Sequence, residues 1–292
     1  MSKQAAPFQI ALITDSLRLP WREAILKAKA MGVDGFQIYA VKGEISPEGL
    51  DGAARGALRA FVAAQGLEIT ALCGDLGGHG FAIPEENPGK IEASKRIVDL
   101  AVDLGTRVVT THIGVVPEDR RLPRYQVLLA ACRELGAYAG KRGVSFAIET
   151  GPETAAVPGA FLDEVATPGI GVNLDPANLA MVTGDDPVAA VTRLRSYIVH
   201  THAKDGVKLG PCDPEQVYDA FARGGIEGFD FGKLFNETPL GQGAVDWPRY
   251  LRALSGIGYR GALTIEREVG ADPARDISAA ISFLREKMGE LG

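Results

Sequence analysis

The chain has 292 residues, a formal net charge of -6 and an ordinary 46% share of hydrophobic residues. That composition excludes collagen-like, disordered and disulfide-rich classes, and the acidic balance argues against a nucleic-acid footprint, which needs clustered Lys and Arg. Three scattered cysteines without CxxC spacing suggest neither a disulfide framework nor a thiolate metal site, and no apolar run reaches membrane-spanning length. The opening MSKQAAPFQIALITDSLRLP has no basic segment followed by a long apolar stretch, which predicts a cytoplasmic protein.

From FQIALIT onward one unit recurs: a helical stretch rich in Ala, Leu and Lys, a Gly, then a short β-branched run. AKAMG precedes VDGFQIYA, FVAAQG precedes LEITALC, AVDLG precedes TRVVTTHIG, and AYAGKRG precedes VSFAIET. VATPG then leads into IGVNLDP, RLRS into YIVHTHAKD, and LSGIG into YRGALTIERE. Each Gly suits the left-handed position that ends a helix, and strands alternating with helices imply parallel crossover units. Eight strands predict one (β/α)8 TIM barrel over residues 1–292. Residues 206–245 are too many for an ordinary barrel loop and form an insertion between strands seven and eight. DPEQVYDAFARG reads as a short helix there. Phe229, Phe231 and Phe235 follow as hydrophobic anchors of a lid, an oligomer contact or a plain packed insertion.

Alternation within the strands decides which side chains look inward. Val144, Phe146 and Ile148 share one face of VSFAIET, and Ser145, Ala147 and Glu149 share the other. The same split turns Gly171, Asn173 and Asp175 inward on strand six, His200, His202 and Lys204 on strand seven, and Ala262, Thr264 and Glu266 on strand eight. All four histidines (His79, His112, His200 and His202) fall at or just after the C-terminal ends of strands, where barrel enzymes place their chemistry. Three buried carboxylates at strand ends are costly unless something positive compensates them, and a divalent cation is the simplest compensation. A single strand-end carboxylate is equally well read as a helix N-cap or a salt-bridge partner.

These residues resemble the xylose isomerase-like barrels, which include sugar and sugar-phosphate isomerases and epimerases, inosose dehydratases and the endonuclease IV branch. The resemblance rests on THIG at His112, AIET at Glu149, NLDPANL at Asp175, HTHAKD at His202, the stretch PLGQGAVDWPRYLRALSGIGYRGALTIERE, and the order Glu, Asp, His, Glu on strands five to eight. It implies one divalent metal held by Glu149, Asp175, His202 and Glu266, with Glu149 and Glu266 also moving the proton. One nitrogen and three carboxylate donors favour Mn(II) or Mg(II), and Co(II) and Zn(II) also fit. His200, one step deeper, reads as support behind the ligands. His112 is a contact for substrate hydroxyls or a satisfied core histidine. Lys204 either anchors a substrate anion or neutralises Asp205 and Glu149. Asn178 stands where several epimerases of the family carry a substrate-touching histidine, and an amide cannot shuttle a proton.

Glu268 reads as a supporting acid or a partner of Arg267 or solvent. CGDLGGHG reads as a phosphate cradle or a permissive loop, with Cys73 packed beside it. The leading expectation is a metal-dependent isomerase or epimerase of a ketose or related carbonyl sugar, acting as a homodimer or tetramer on a small carbohydrate without nucleic acid or membrane. A keto-polyol dehydratase is the alternative, followed by an endonuclease IV-like phosphodiesterase, which would need more histidines, and a non-catalytic sugar-binding barrel.

Overall fold

In the computed structural model, residues 7–226 and 229–291 are described. The expected spans 1–292 and 206–245 include residues outside that set: 1–6, 227, 228 and 292. Eight parallel strands close a barrel: β1 (Gln9–Ile13), β2 (Gly35–Tyr39), β3 (Glu68–Cys73), β4 (Val108–Thr111), β5 (Ser145–Glu149), β6 (Ile170–Leu174), β7 (Ile198–Ala203) and, after the insertion, β10 (Ala262–Ile265). Each strand lies beside its sequence neighbour around the ring, and β10 closes it against β1. The eight runs read from the sequence are these eight strands.

The outer layer holds α1 (Trp21–Met31), α2 (Gly52–Ala64), α3 (Asn87–Leu104), α4 (Pro123–Lys141), α5 (Ala156–Val165), the single turn α6 (Pro176–Asn178), α7 (Pro187–Arg193), α9 (Trp247–Gly256) and α10 (Pro273–Gly289). Aspartates start several of them: Asp51, Asp186, Asp246 and Asp272 each accept a main-chain N–H in the first turn, satisfying donors the helix leaves open. Gly32 and Gly105 end α1 and α3 in the left-handed region, as the repeat predicts. Gly169 does not play that part, since Ala166 takes the left-handed position after α5. A Cβ at Gly169 would overlap the main chain of Gly136 and Gly140. This glycine is needed where α4 and the approach to β6 touch.

Leu12, Phe36, Leu72, Val109, Phe146, Val172 and Leu263 are fully buried between barrel and helices; burying each such side chain stabilises the fold by roughly 1.5–3 kcal/mol. The opposite face of the strands carries a polar interior. Gln37 Nε2 donates to Thr110 Oγ1 at 3.2 Å, His200 Nδ1 lies 2.8 Å from Asn173 Oδ1, and Thr264 Oγ1 lies 3.0 Å from His200 Nε2. Buried polar groups persist only when paired in this way.

The insertion carries the short helix expected at DPEQVYDAFARG, together with a strand pair that the sequence pattern did not disclose. β8 (Asp205–Lys208) pairs antiparallel with β9 (Phe235–Thr238), and α8 (Pro214–Ala222) lies between them in sequence. Among the described residues, no helix is long and apolar enough to cross a membrane.

Candidate metal centre and active site

Glu149, Asp175, His202 and Glu266 leave the C-terminal ends of four adjacent strands, β5, β6, β7 and β10. Each offers one ligand atom, and these four atoms lie within 4.8 Å of one another. His202 Nδ1 is at the centre, 3.5 Å from Glu149 Oε1, 3.3 Å from Asp175 Oδ2 and 3.2 Å from Glu266 Oε2. Burial opposes charge on this imidazole, but Glu266 and Glu149 outweigh it and raise His202 well above its ordinary range. Burial likewise pushes Asp175 up. Glu266 is held well below the usual carboxylate range, because Lys204 and His202 outweigh its burial. Without a cation, the Lys204 ammonium and the His202 imidazole are the groups that offset the carboxylates.

The donor set fits a divalent cation. Two oxygens or nitrogens bound to one such ion at about 2.0–2.2 Å lie at most roughly 4.4 Å apart, so the observed cluster needs little contraction. Glu266 Oε2 is buried and makes no hydrogen bond; Lys204 Nζ at 3.0 Å and His202 Nδ1 at 3.2 Å approach it outside hydrogen-bonding geometry. An acceptor so placed is suited to a metal.

Asp175 shows why a helix cap and a metal ligand are not alternatives. Its Oδ1 accepts the Asn178 N–H at 2.8 Å and starts α6, while Oδ2 faces His202 at 3.3 Å. α6 continues into a π-helical turn at Leu179–Thr183, a form that recurs at functional sites.

Amides orient Glu149. Asn173 Nδ2 donates to its Oε2 at 3.1 Å, and Asn178 Nδ2 donates to its Oε1 at 3.2 Å. Asn178 also donates to the Thr150 carbonyl at 3.3 Å and still lines the cavity. His200 pairs with Asn173 Oδ1 and packs edge-on against the His202 ring, and both burial and His202 push it well below its ordinary range. His112 Nδ1 lies 3.1 Å from Asp75 Oδ2, and its Nε2 lies 3.7 Å from Glu149 Oε1. Burial alone would lower His112, yet Glu149 and Asp75 raise it to about 10.

Lys204 does not neutralise Asp205 or Glu149. Its ammonium pairs with Glu266 and Glu268, which lie on the same side of the barrel mouth. Asp205 is taken by the insertion: its carboxylate accepts from the main-chain N–H groups of Gly206, Gly241 and Val245 and from the Trp247 indole. Glu268 pairs with Lys204 and not with Arg267, which is bound by Glu237 at 2.6 Å and Asp276 at 2.8 Å.

A cavity of about 290 Å³ opens above these groups. Gln37, whose Oε1 lies 3.3 Å from His202 Nε2, Asp75 and Tyr218 line it and went unassigned in the sequence, as did Asn173, which lies behind the wall with its Nδ2 3.1 Å from His202 Nε2. Inward alternation placed Asn173, and the same rule applied to GFQIY would have found Gln37. Tyr218 comes from α8, which roofs the cavity together with Val217 and Phe221. His79 Nε2 meets Asp219 Oδ1 at 2.7 Å and Arg124 meets Glu215 at 2.5 Å, fastening that helix to the barrel. Phe229 and Phe235 pack around Phe231, which stacks on Phe221 with ring centres 4.3 Å apart. Cys73 is buried at the wall, and burial pushes its thiol up to about 12.

No curated protein matches the chain in sequence. Among solved structures, a xylose isomerase domain protein from Planctomyces limnophilus is 26% identical with a TM-score of 0.78, covering 99% of this chain and 98% of that one. A D-psicose 3-epimerase solved in the presence of D-fructose shares the fold at 16% identity and a TM-score of 0.72, over 97% of this chain and 100% of that one. A probable 3-DHS dehydratase from Bacillus anthracis does so at 19% identity and 0.72, over 95% and 99%. The family described as the xylose isomerase-like TIM barrel matches residues 25–287. With the closed eight-stranded barrel and a match over nearly all its length, the chain belongs to the xylose isomerase-like TIM barrel family.

Proposed function

We propose that the protein is a divalent-metal-dependent isomerase or epimerase of a ketose or related carbonyl sugar. The observation that carries this reading is the convergence of Glu149, Asp175, His202 and Glu266 beneath an open cavity, with the two glutamates on strands three apart around the barrel. Mn(II) or Mg(II) suits the donors best. A cation bound there supplies Lewis-acid polarisation of the substrate carbonyl.

In this scheme Glu149 removes the proton from the carbon beside the carbonyl and later gives it up to solvent, while a proton taken up from solvent is delivered by way of Glu266 from the opposite side, either inverting that centre or protonating its neighbour. Asn173 and Asn178 aim the Glu149 carboxylate, so its free lone pairs point to one place. His112, clamped by Asp75, donates to a substrate hydroxyl next to Glu149. The roof of Val217, Tyr218 and Phe221 keeps bulk water away while the proton is held on the glutamate.

The dehydratase reading shares the first step. A specific observation favours keeping it: His112 lines the cavity with Nε2 3.7 Å from Glu149 Oε1, where a ring N–H would serve a departing hydroxyl. Incubation with a panel of ketoses and Mn(II) in deuterated water tests both. Solvent deuterium on the carbon beside the carbonyl is expected, and Glu149→Gln or Glu266→Gln should suppress it by at least 100-fold. A shift without solvent label would refute proton transfer, and product identity separates epimer from dehydrated product.

A further inference from the structure

Charge around the cavity is strongly one-sided. Asp75, Glu149, Glu266 and Glu268 line it, and of these Asp75 and Glu268 stand outside the candidate donor set, so a bound cation would not take up their charge; among the described residues lining it the one lysine is Lys204 and no arginine is present. Lys204 is fully engaged by Glu266 and Glu268. The neighbouring guanidinium groups are engaged as well. Arg18 donates to the main-chain oxygens of Glu268 at 3.0 Å and Gly270 at 3.4 Å, and Arg267 is held by Glu237 and Asp276.

The glycine-rich turn after β3 is also closed to anions. Gly77 and Gly78 reach the wall, but the Gly77 N–H donates to Asp75 Oδ1 at 2.9 Å, so a carboxylate of the protein already occupies the place a phosphate would need. The carbonyls of Gly77 and Gly80 turn to Lys90 Nζ, at 3.4 and 2.7 Å. His112 is the remaining basic side chain, and it is clamped between Asp75 and Glu149. The wall offers instead the neutral groups of Gln37, Thr111, Asn178 and Tyr218 beside carboxylate acceptors. Such groups match hydroxyls and a carbonyl.

We propose that the cavity takes an uncharged polyhydroxy ketone, neither phosphorylated nor carboxylated, and that Asp75 and Glu268 are the residues that turn anions away. This rests on the sugar isomerase reading and narrows it to one substrate class. A carboxylate about 6 Å from a substrate phosphate weakens its binding by roughly 100-fold per unit charge at an effective dielectric of about 20, and by about tenfold where solvent screening doubles that dielectric. Glu268 is half exposed, and Lys204 keeps Glu266 as a partner when Glu268 is neutralised, so Glu268→Gln removes the charge without stranding the ammonium.

The test is calorimetric titration of the Mn(II)-loaded protein with D-fructose and D-ribulose, and with D-fructose 6-phosphate and D-ribulose 5-phosphate, alongside deuterium uptake from solvent. Each free ketose should bind at least tenfold more tightly than its phosphate, and Glu268→Gln should narrow that ratio by roughly tenfold. Asp75→Asn should narrow it in the same direction. Tighter binding of a phosphate ester, a ratio unmoved by Glu268→Gln, or binding of none of the four would overturn the proposal. Selective binding of the free ketoses without any label exchange would instead defeat the isomerase reading while upholding the substrate class.

Discussion

Lys204 and Glu266 rise from adjacent strands, β7 and β10, and meet at 3.0 Å with both side chains almost wholly buried. Each is a liability alone. A carboxylate buried with His202 and two further acids needs the ammonium, and the ammonium buried at the barrel mouth needs Glu266 and Glu268, which together raise it well above its ordinary range despite burial. Lys204→Met strands the acids, at a cost of about 3–5 kcal/mol, or roughly 10 °C in Tm for the metal-free protein. Saturating Mn(II) should recover a good part of that loss. A variant as stable as the parent without metal would refute the coupling.

Asp175 separates two roles by oxygen atom. Asp175→Asn keeps an acceptor for the Asn178 N–H and removes the charge beside His202, whereas Asp175→Ala removes both. Mn(II) affinity measured by calorimetry should fall at least 100-fold in both variants. Metal-free Tm should fall further in Asp175→Ala, by about 1 kcal/mol equivalent, the usual cost of a lost cap. Unchanged Mn(II) affinity in Asp175→Asn would remove this residue from the ligand set.

Asp205 gathers the insertion: Gly206, Gly241, Val245 and the Trp247 indole all donate to its buried carboxylate, at 2.9–3.2 Å. A Cβ at Gly243 would overlap that carboxylate, so the chain can pass there only as glycine. Asp205→Ala leaves buried N–H groups without an acceptor and should destabilise by about 3 kcal/mol. Limited proteolysis should then cut within residues 209–245 well before the barrel. Protection equal to that of the parent would show that other contacts hold the insertion.

Glu153 gives a pH signature outside the metal cluster. Burial pushes its carboxyl up to about 7 while it accepts the Val116 N–H. Between pH 4.5 and 7 the folded protein keeps this proton and the unfolded chain has lost it, so Glu153 makes stability fall as pH rises through that window, with the penalty complete above pH 7. Glu153→Gln removes the term and should be more stable than the parent by on the order of 1 kcal/mol at pH 8, with no gain at pH 4. Denaturant unfolding at the two pH values measures this, and an equal gain at both would exclude titration as the cause.

Period-two alternation was enough to turn Glu149, Asp175, His202 and Glu266 to one side, because in a closed parallel barrel each strand has one inner and one outer face. The eight strands were legible for a related reason: each is a short β-branched run after a helix-ending signal. Partners were harder to read. Lys204 meets Glu266 and Glu268 because β7 and β10 are neighbours across a long insertion, and the sequence order places Asp205 nearer. Tyr218 was hidden by the same insertion, since nothing local to DPEQVYDAFARG says that its helix folds back over the mouth. Gly169 was misread because a glycine required by helix-to-strand contact looks, in sequence, like one that ends a helix.

The ligands occupy one contiguous arc of the ring, β5, β6, β7 and β10, while Gln37, Asp75 and His112 come from the facing arc, β2 to β4. Redesign can exploit that geography. Exchanging the loops after β2, β3 and β4 would remodel that half of the cavity wall while leaving all four candidate donors in place, so new selectivities are reachable by grafting on one half of the rim alone.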